Sequence, residues 1–169
     1  MDVADRVVLI TGASSGVGAA LATKLADMGA RVVVNYSRSA EAAEAVVTQI
    51  MAAGGQALAV QADVSEEADC KRLVAATLEQ FGQLDALVNN AGTTTFIPHD
   101  QLDALTEDVW LRTLRVNLIG AFMMSREAAP QIDAVGGGVA KLTADPAFMD
   151  GLRNVTIGLG ALFSGVCPA

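Results

Sequence analysis

The uniformly apolar segment Val7–Ile10 runs straight into T-G-A-S-S-G-V-G at Thr11–Gly18. A buried strand, a glycine turn and a helix start therefore fall in one short stretch. Gly12 permits the tight turn off the strand, Gly16 has no side chain to block close approach of a ligand, and Gly18 lets the helix pack tightly on the sheet. The helix N-terminus offers unpaired N–H groups and the positive end of its dipole, which suits the phosphates of a nucleotide. Glycine turns between strand and helix are common in α/β proteins, so the surrounding sequence must decide what this one does.

The 169 residues suit one domain with a sizeable core. A hydrophobic fraction of 52% with only 4% aromatic residues points to an interior of Ala, Val, Leu and Gly, as in helices packed closely on a parallel sheet. The formal charge of -8 argues against nucleic acid or an anionic membrane as the main partner. No secretion signal opens the chain and no apolar run reaches the roughly 18 residues needed to span a bilayer, so the expected location is the cytoplasm. Cys70 and Cys167 lack metal or redox spacing and read as ordinary thiols. His99, the only histidine, follows Pro98 in a loop and reads as solvated; Ser164 has no partner that would make it a nucleophile.

Strand and helix patterns alternate with short loops, the signature of an α/β fold with a parallel sheet covered on both faces. Strands are predicted at Arg6–Thr11, Arg31–Asn35, Gln56–Ala62 and Leu84–Asn89. The helix after the glycine turn carries Val17, Leu21, Leu25 and Met28 and stops at Gly29. A second helix, capped by Ser39, is expected to bury Val46 and Ile50, and a third starts at Ser65 and carries Val74, Leu78 and Phe81. Thr106 caps a long helix with Glu107 and Asp108 in its first turn and an expected buried stripe of Leu111, Leu114, Leu118 and Phe122. Right-handed crossovers order the strands 3-2-1-4 and place a ligand crevice where the order reverses, at the carboxyl ends of the first and fourth.

Four motifs together carry a family resemblance: Thr11–Gly18, A-D-V at Ala62–Val64, N-N-A-G at Asn89–Gly92 and V-N-L-I-G-A-F at Val116–Phe122. In this order and at these spacings the chain resembles the classical short-chain dehydrogenases/reductases, from about Arg6 to Ile132. The resemblance implies a three-layer, Rossmann-like, doubly wound sheet, here incomplete. Residues 1–135 would be the dinucleotide-binding region and 136–169 an atypical tail.

Carried over residue by residue, the resemblance implies that Gly12, Ser14, Ser15, Gly16, Val17 and Gly18 surround the pyrophosphate and its ribose. Asp63 and Val64 would flank the adenine, and Asn90, Ala91 and Gly92 would line the floor near the nicotinamide ribose. Asp63 would serve equally well as a hydrogen-bonding residue of the turn into the third helix, and Asn89 and Asn90 as partners for backbone groups at a strand end. Asn117 matches the family's active-site asparagine, which kinks the long helix and holds a water in a proton relay.

An NAD site usually offers Asp or Glu at the end of the second strand, and an NADP site a cation. Here the strand runs out as Asn35, Tyr36, Ser37, Arg38, with no acid before Glu41. This resembles the NADPH-using reductases, including 3-oxoacyl-(acyl-carrier-protein) reductases, and favours NADP(H) over NAD(H), with Arg38 either the phosphate clamp or a solvated loop residue. Ser15 stands where some NADPH-preferring relatives carry a second basic residue.

The family's catalytic serine and Tyr-x-x-x-Lys do not follow. Tyr36 is the only tyrosine, and it falls on the adenosine side; the lysines are Lys24, Lys71 and Lys141. Leu142–Leu152 looks like a segment found nearer the family's substrate loop, which suggests an internal deletion. From Val155 onward the tail suits either one further strand beside the fourth or no fixed structure. A bared fourth strand would invite pairing with another copy of the chain, a homo-oligomer. Two functions follow: an NADP(H)-dependent oxidoreductase acting on a small carbonyl or alcohol with impaired chemistry, or a non-catalytic dinucleotide-binding or interaction module.

Overall fold

The computed structural model describes residues 3–135. The atypical tail, with Lys141, Ser164, Cys167 and the expected further strand, lies outside the described residues. The elements alternate as β1 (Val7–Ile10), α1 (Gly16–Asp27), β2 (Arg31–Tyr36), α2 (Ala40–Ala52), β3 (Gln56–Gln61), α3 (Glu67–Phe81) and β4 (Ala86–Val88). A 3-10 turn at Leu102–Ala104 leads to α4 (Glu107–Leu114), a π-helical segment at Arg115–Gly120 and α5 (Ala121–Ala134). The four strands are parallel in the order β3-β2-β1-β4, as expected.

Both faces of the sheet are buried, which is why its strands read as continuous apolar runs rather than alternating ones. Val8, Ile10, Val32 and Val34 pack with Ala22 and Ala26 of α1 and Ala43, Val47 and Ile50 of α2. Leu9, Val33 and Val60 face the other way, onto Cys70, Leu73 and Val74 of α3 and Met123, Met124, Ala128 and Ile132 of α5. The result is three layers, α1 and α2 on one side of the sheet and α3 and α5 on the other.

Two helix faces and one helix start differ from the sequence expectation. In α1 the buried positions are Gly18, Ala22 and Ala26, while Val17 is 75% and Met28 49% exposed. Small residues at four-residue spacing let the helix approach the sheet closely, and Leu21 and Leu25 cover the flank of that contact. The Leu111, Leu114, Leu118 and Phe122 stripe is exposed, with Phe122 at 63%. No residue of α4 is buried, and the π segment takes one extra residue into its turn, so the buried face downstream is displaced by one position to Met123. The third helix begins at Glu67 rather than Ser65, because Asp63 already holds the Ser65 amide and hydroxyl. Ser39 and Thr106 occupy the expected N-cap positions, but neither side chain makes a capping bond.

The amino ends of β1 and β4 are fastened by Asp85. One carboxylate oxygen accepts from Arg6 at 2.8 Å; the other accepts from the Val7 amide at 2.8 Å and from Gln83 at 2.7 Å. Burial alone would raise its pKa, but these donors outweigh burial and hold the carboxyl below the usual range. The folded pKa is thus below the unfolded value of about 3.9, so the stabilisation is complete above about pH 4 and is lost as pH falls through the folded value. Asp85→Ala should cost about 1–3 kcal/mol at pH 7, through the orphaned Val7 amide, and should flatten the acid limb of stability. Urea unfolding at pH 7 and below pH 4 checks this; a variant as stable as the parent at pH 7 would contradict it.

Candidate functional site

A cleft of about 400 Å³ opens at the carboxyl end of the sheet. Its walls come from the loop after β1 (Gly12, Ser14, Ser15), the end of β2 and its loop (Asn35–Ser39), the end of β3 (Ala62–Val64), the loop after β4 (Asn90–Thr93), and Arg112 and Val116. A second hollow of about 320 Å³ sits at the opposite ends of β2 and β3, between the tails of α1 and α2. The first lies where the strand order reverses, the usual ligand edge of a doubly wound sheet.

Of the predicted site residues, Gly12, Ser14, Ser15, Arg38, Asp63, Val64, Asn90, Ala91 and Gly92 line this cleft together. Gly16, Val17, Gly18 and Asn117 do not line it. Gly12 adopts φ +62, and a Cβ there would stand 2.8 Å from the Ala91 Cα, so this turn demands glycine. Gly16, at φ +57, would carry a Cβ with nothing within 4 Å, so the helix start is left open for a group to approach. Gly18 is buried behind the turn, where a Cβ would come 2.5 Å from the side-chain Nδ2 of Asn90.

Several polar side chains of the site are engaged in holding its loops. Asn90 Nδ2 donates to the carbonyls of Thr11 at 3.0 Å and Gly12 at 2.9 Å, joining the loop after β4 to the glycine turn. The Thr11 hydroxyl accepts the amides of Asn90 and Ala91, each at 3.0 Å, and donates to the Val88 carbonyl at 3.3 Å. Asp63 accepts from the Ser65 amide at 2.9 Å and hydroxyl at 2.6 Å, the turn role open to it from sequence. Its own amide donates to Asp69, whose pKa is lowered first by that bond and then by Arg72. Asn89 Nδ2 reaches across to Ser125 at 3.0 Å.

Asn117 lies inside the π segment, so the expected break in the long helix falls at this residue. Its Oδ1 accepts the Thr93 amide at 2.7 Å and its Nδ2 donates to the Thr93 carbonyl at 2.9 Å. The pair fixes the loop after β4 to the helical rod. Cys70 is a buried thiol donating to the Val64 carbonyl at 3.3 Å, and burial pushes its pKa up to about 11. It is not a reactive group.

Sequence reasoning passed over Asn35, which is 1% exposed at the end of β2. Its Oδ1 accepts the Gly12 amide at 3.1 Å, and its Nδ2 donates to the carbonyls of Ala62 at 3.0 Å and Val60 at 3.3 Å. The signal was available: a polar residue closing the fully apolar run Val32–Val34. Thr93 and Arg112 were also missed, the first for want of any pattern and the second because Arg112 precedes Val116 by one helical turn on the cleft face. No three His, Cys, Asp or Glu residues come together to hold a metal among the described residues. No described helix is long and apolar enough to cross a membrane.

A parallel 3-2-1-4 sheet covered by helices on both faces, with a glycine turn off β1 opening onto the switch-point cleft, defines a Rossmann-like α/β protein. Residues 6–152 match the family described as short chain dehydrogenase, and the chain belongs to that family. The match runs past Ile132 and takes in the segment Leu142–Leu152. A short chain dehydrogenase from Burkholderia cenocepacia J2315, solved in complex with NADP, is 40% identical with a TM-score of 0.72, over 78% of this chain and 53% of that one. An uncharacterized oxidoreductase from Methylorubrum extorquens is 43% identical over 160 residues, 95% of this chain and 60% of that protein. The short-chain dehydrogenase/reductase homolog YusS of Bacillus subtilis is 49% identical over 109 residues, 64% of this chain and the whole of that protein. Several other curated relatives are spanned by this chain over only 46% to 58% of their length.

Asn35→Ala should cost about 2–4 kcal/mol, since one deletion orphans a buried amide and two carbonyls. Asn35→Asp should fare no better at pH 7, because a carboxylate would face the Val60 and Ala62 carbonyls. Urea denaturation measures both; a loss under about 0.5 kcal/mol for the alanine variant would remove Asn35 from its structural role.

Proposed function

We propose that this chain binds NADP(H) in the switch-point cleft in preference to NAD(H) and derives from the carbonyl- and alcohol-directed hydride chemistry of its family. The observation that carries the reading is the cleft at the switch point, walled by the turn at Gly12–Ser15, with Gly16 leaving the start of α1 open next to it. That is room for a pyrophosphate against the N-terminus of α1. The preference for NADP(H) is supported by Arg38, which lines the cleft just beyond β2 where no acid stands. Asp63 and Val64 would flank the adenine, and the backbone of Asn90–Gly92 the nicotinamide ribose. The bound dinucleotide would supply or accept hydride; this chain's part is to bind and orient it.

A second reading is favoured by one observation: the sequence holds a single tyrosine, Tyr36, on the wrong side of the cleft, and no Tyr-x-x-x-Lys. In that reading the chain binds the dinucleotide without turning over substrate. Asn117, the remaining candidate from the family's catalytic set, has both amide atoms bonded to Thr93 and would act as a positioning residue. Turnover of a simple ketone or alcohol with NADP(H) separates the two readings.

Thermal unfolding in the presence of NADPH and of NADH tests the site. A ligand at a hundredfold excess over its dissociation constant adds about 2.7 kcal/mol to the folded state, so NADPH should raise the midpoint and NADH should raise it less. Gly16→Val should abolish both shifts while the ligand-free protein still unfolds cooperatively, and Arg38→Ala should weaken NADPH more than NADH. Unchanged NADPH affinity in the first variant would refute the site, and equal loss in the second would refute the clamp.

A further inference from the structure

Two cations line the cleft among the described residues, Arg38 after β2 and Arg112 on α4. Arg112 is exposed, and its side chain makes no hydrogen bond or ion pair to any described residue, although Asp108 stands one helical turn before it. It lies along the cleft with Val116, four residues on and on the same face. The rod that carries it is pinned to the end of β3, because a Cβ at Gly120 would stand only 2.9 Å from the Val64 carbonyl oxygen. Asn117 pins the next turn to Thr93. An uncommitted guanidinium is thereby held on the cleft wall by a rod that packs, further along, against Val64 at the end of β3.

We propose that Arg112 is the adenine-side contact of the cleft, its guanidinium plane lying against the purine ring; this rests on the dinucleotide reading above. Guanidinium is planar and weakly hydrated, so it stacks flat on an aromatic face that a hydrated ammonium meets only as a point charge. Arg38 is held by the loop after β2, whereas Arg112 approaches from the helical rod by the end of β3. The two arginines therefore divide the adenosine half of the ligand, Arg38 taking the 2′-phosphate and Arg112 the base.

Calorimetric titration of the full chain with NADPH and with NADH, in the parent, Arg112→Ala and Arg112→Lys, tests this. Arg112→Ala should weaken both nucleotides by the same factor, about fivefold, and Arg112→Lys should restore only part of the loss. The ligand-free unfolding midpoint should not move, because the side chain has no partner among the described residues to lose. Unchanged affinities, a loss confined to NADPH, or full rescue by lysine would overturn the proposal, the last two marking a phosphate contact instead. Parent protein that binds neither nucleotide would overturn the dinucleotide reading and Arg112 with it; binding by the parent with no change in Arg112→Ala overturns the Arg112 contact alone.

Discussion

The buried amide of Asn35 ties together three of the four strand ends that shape the cleft. Through its two polar atoms it takes the Gly12 amide from the turn after β1 and gives hydrogen bonds to Val60 and Ala62 at the end of β3, while itself closing β2. Parallel strands cannot be joined by tight hairpins, so beyond the end of the backbone ladder the loops at their carboxyl ends depend on such cross-links. Hydrogen bonds made within so buried a site are retained because leaving any member unpaired costs the full desolvation of that group.

The rest of the site repeats the same device. The Thr11 hydroxyl and Asn90 amide fasten the loop after β4 to the glycine turn, and Asn117 fastens its far side to the helical rod. With these asparagines and Thr11 so committed, what faces a ligand is backbone, glycine, the hydroxyls of the loops after β1 and β2, and two arginines. A cleft of this kind is shaped before its ligand arrives, and little ordering remains to oppose binding.

The architecture was legible because its signals are local. Apolar runs with glycine punctuation gave the strands, and alternation with helices gave the parallel order 3-2-1-4. Helix faces were less legible. The α1 contact depends on how close Gly18, Ala22 and Ala26 let the helix come, which large-residue periodicity does not register. Beyond α4, the π segment breaks the 3.6-residue phase on which the Leu111 to Phe122 stripe was read. At the site, the motifs located the loops, but the bonds of Asn35 to Gly12 and of Asn117 to Thr93 join residues far apart in sequence, and only the folded chain reveals them.

The central claim of the account is that the switch-point cleft binds a dinucleotide. The most direct test is a titration of isotopically labelled protein with NADPH, followed by backbone amide resonances. The account predicts saturable shifts at Gly12–Gly18, Ser37–Ser39, Asp63–Val64 and Asn90–Thr93, with Gly54 and Gly82 at the opposite edge unchanged. Shifts centred on that opposite edge, or none at saturating NADPH, would contradict it.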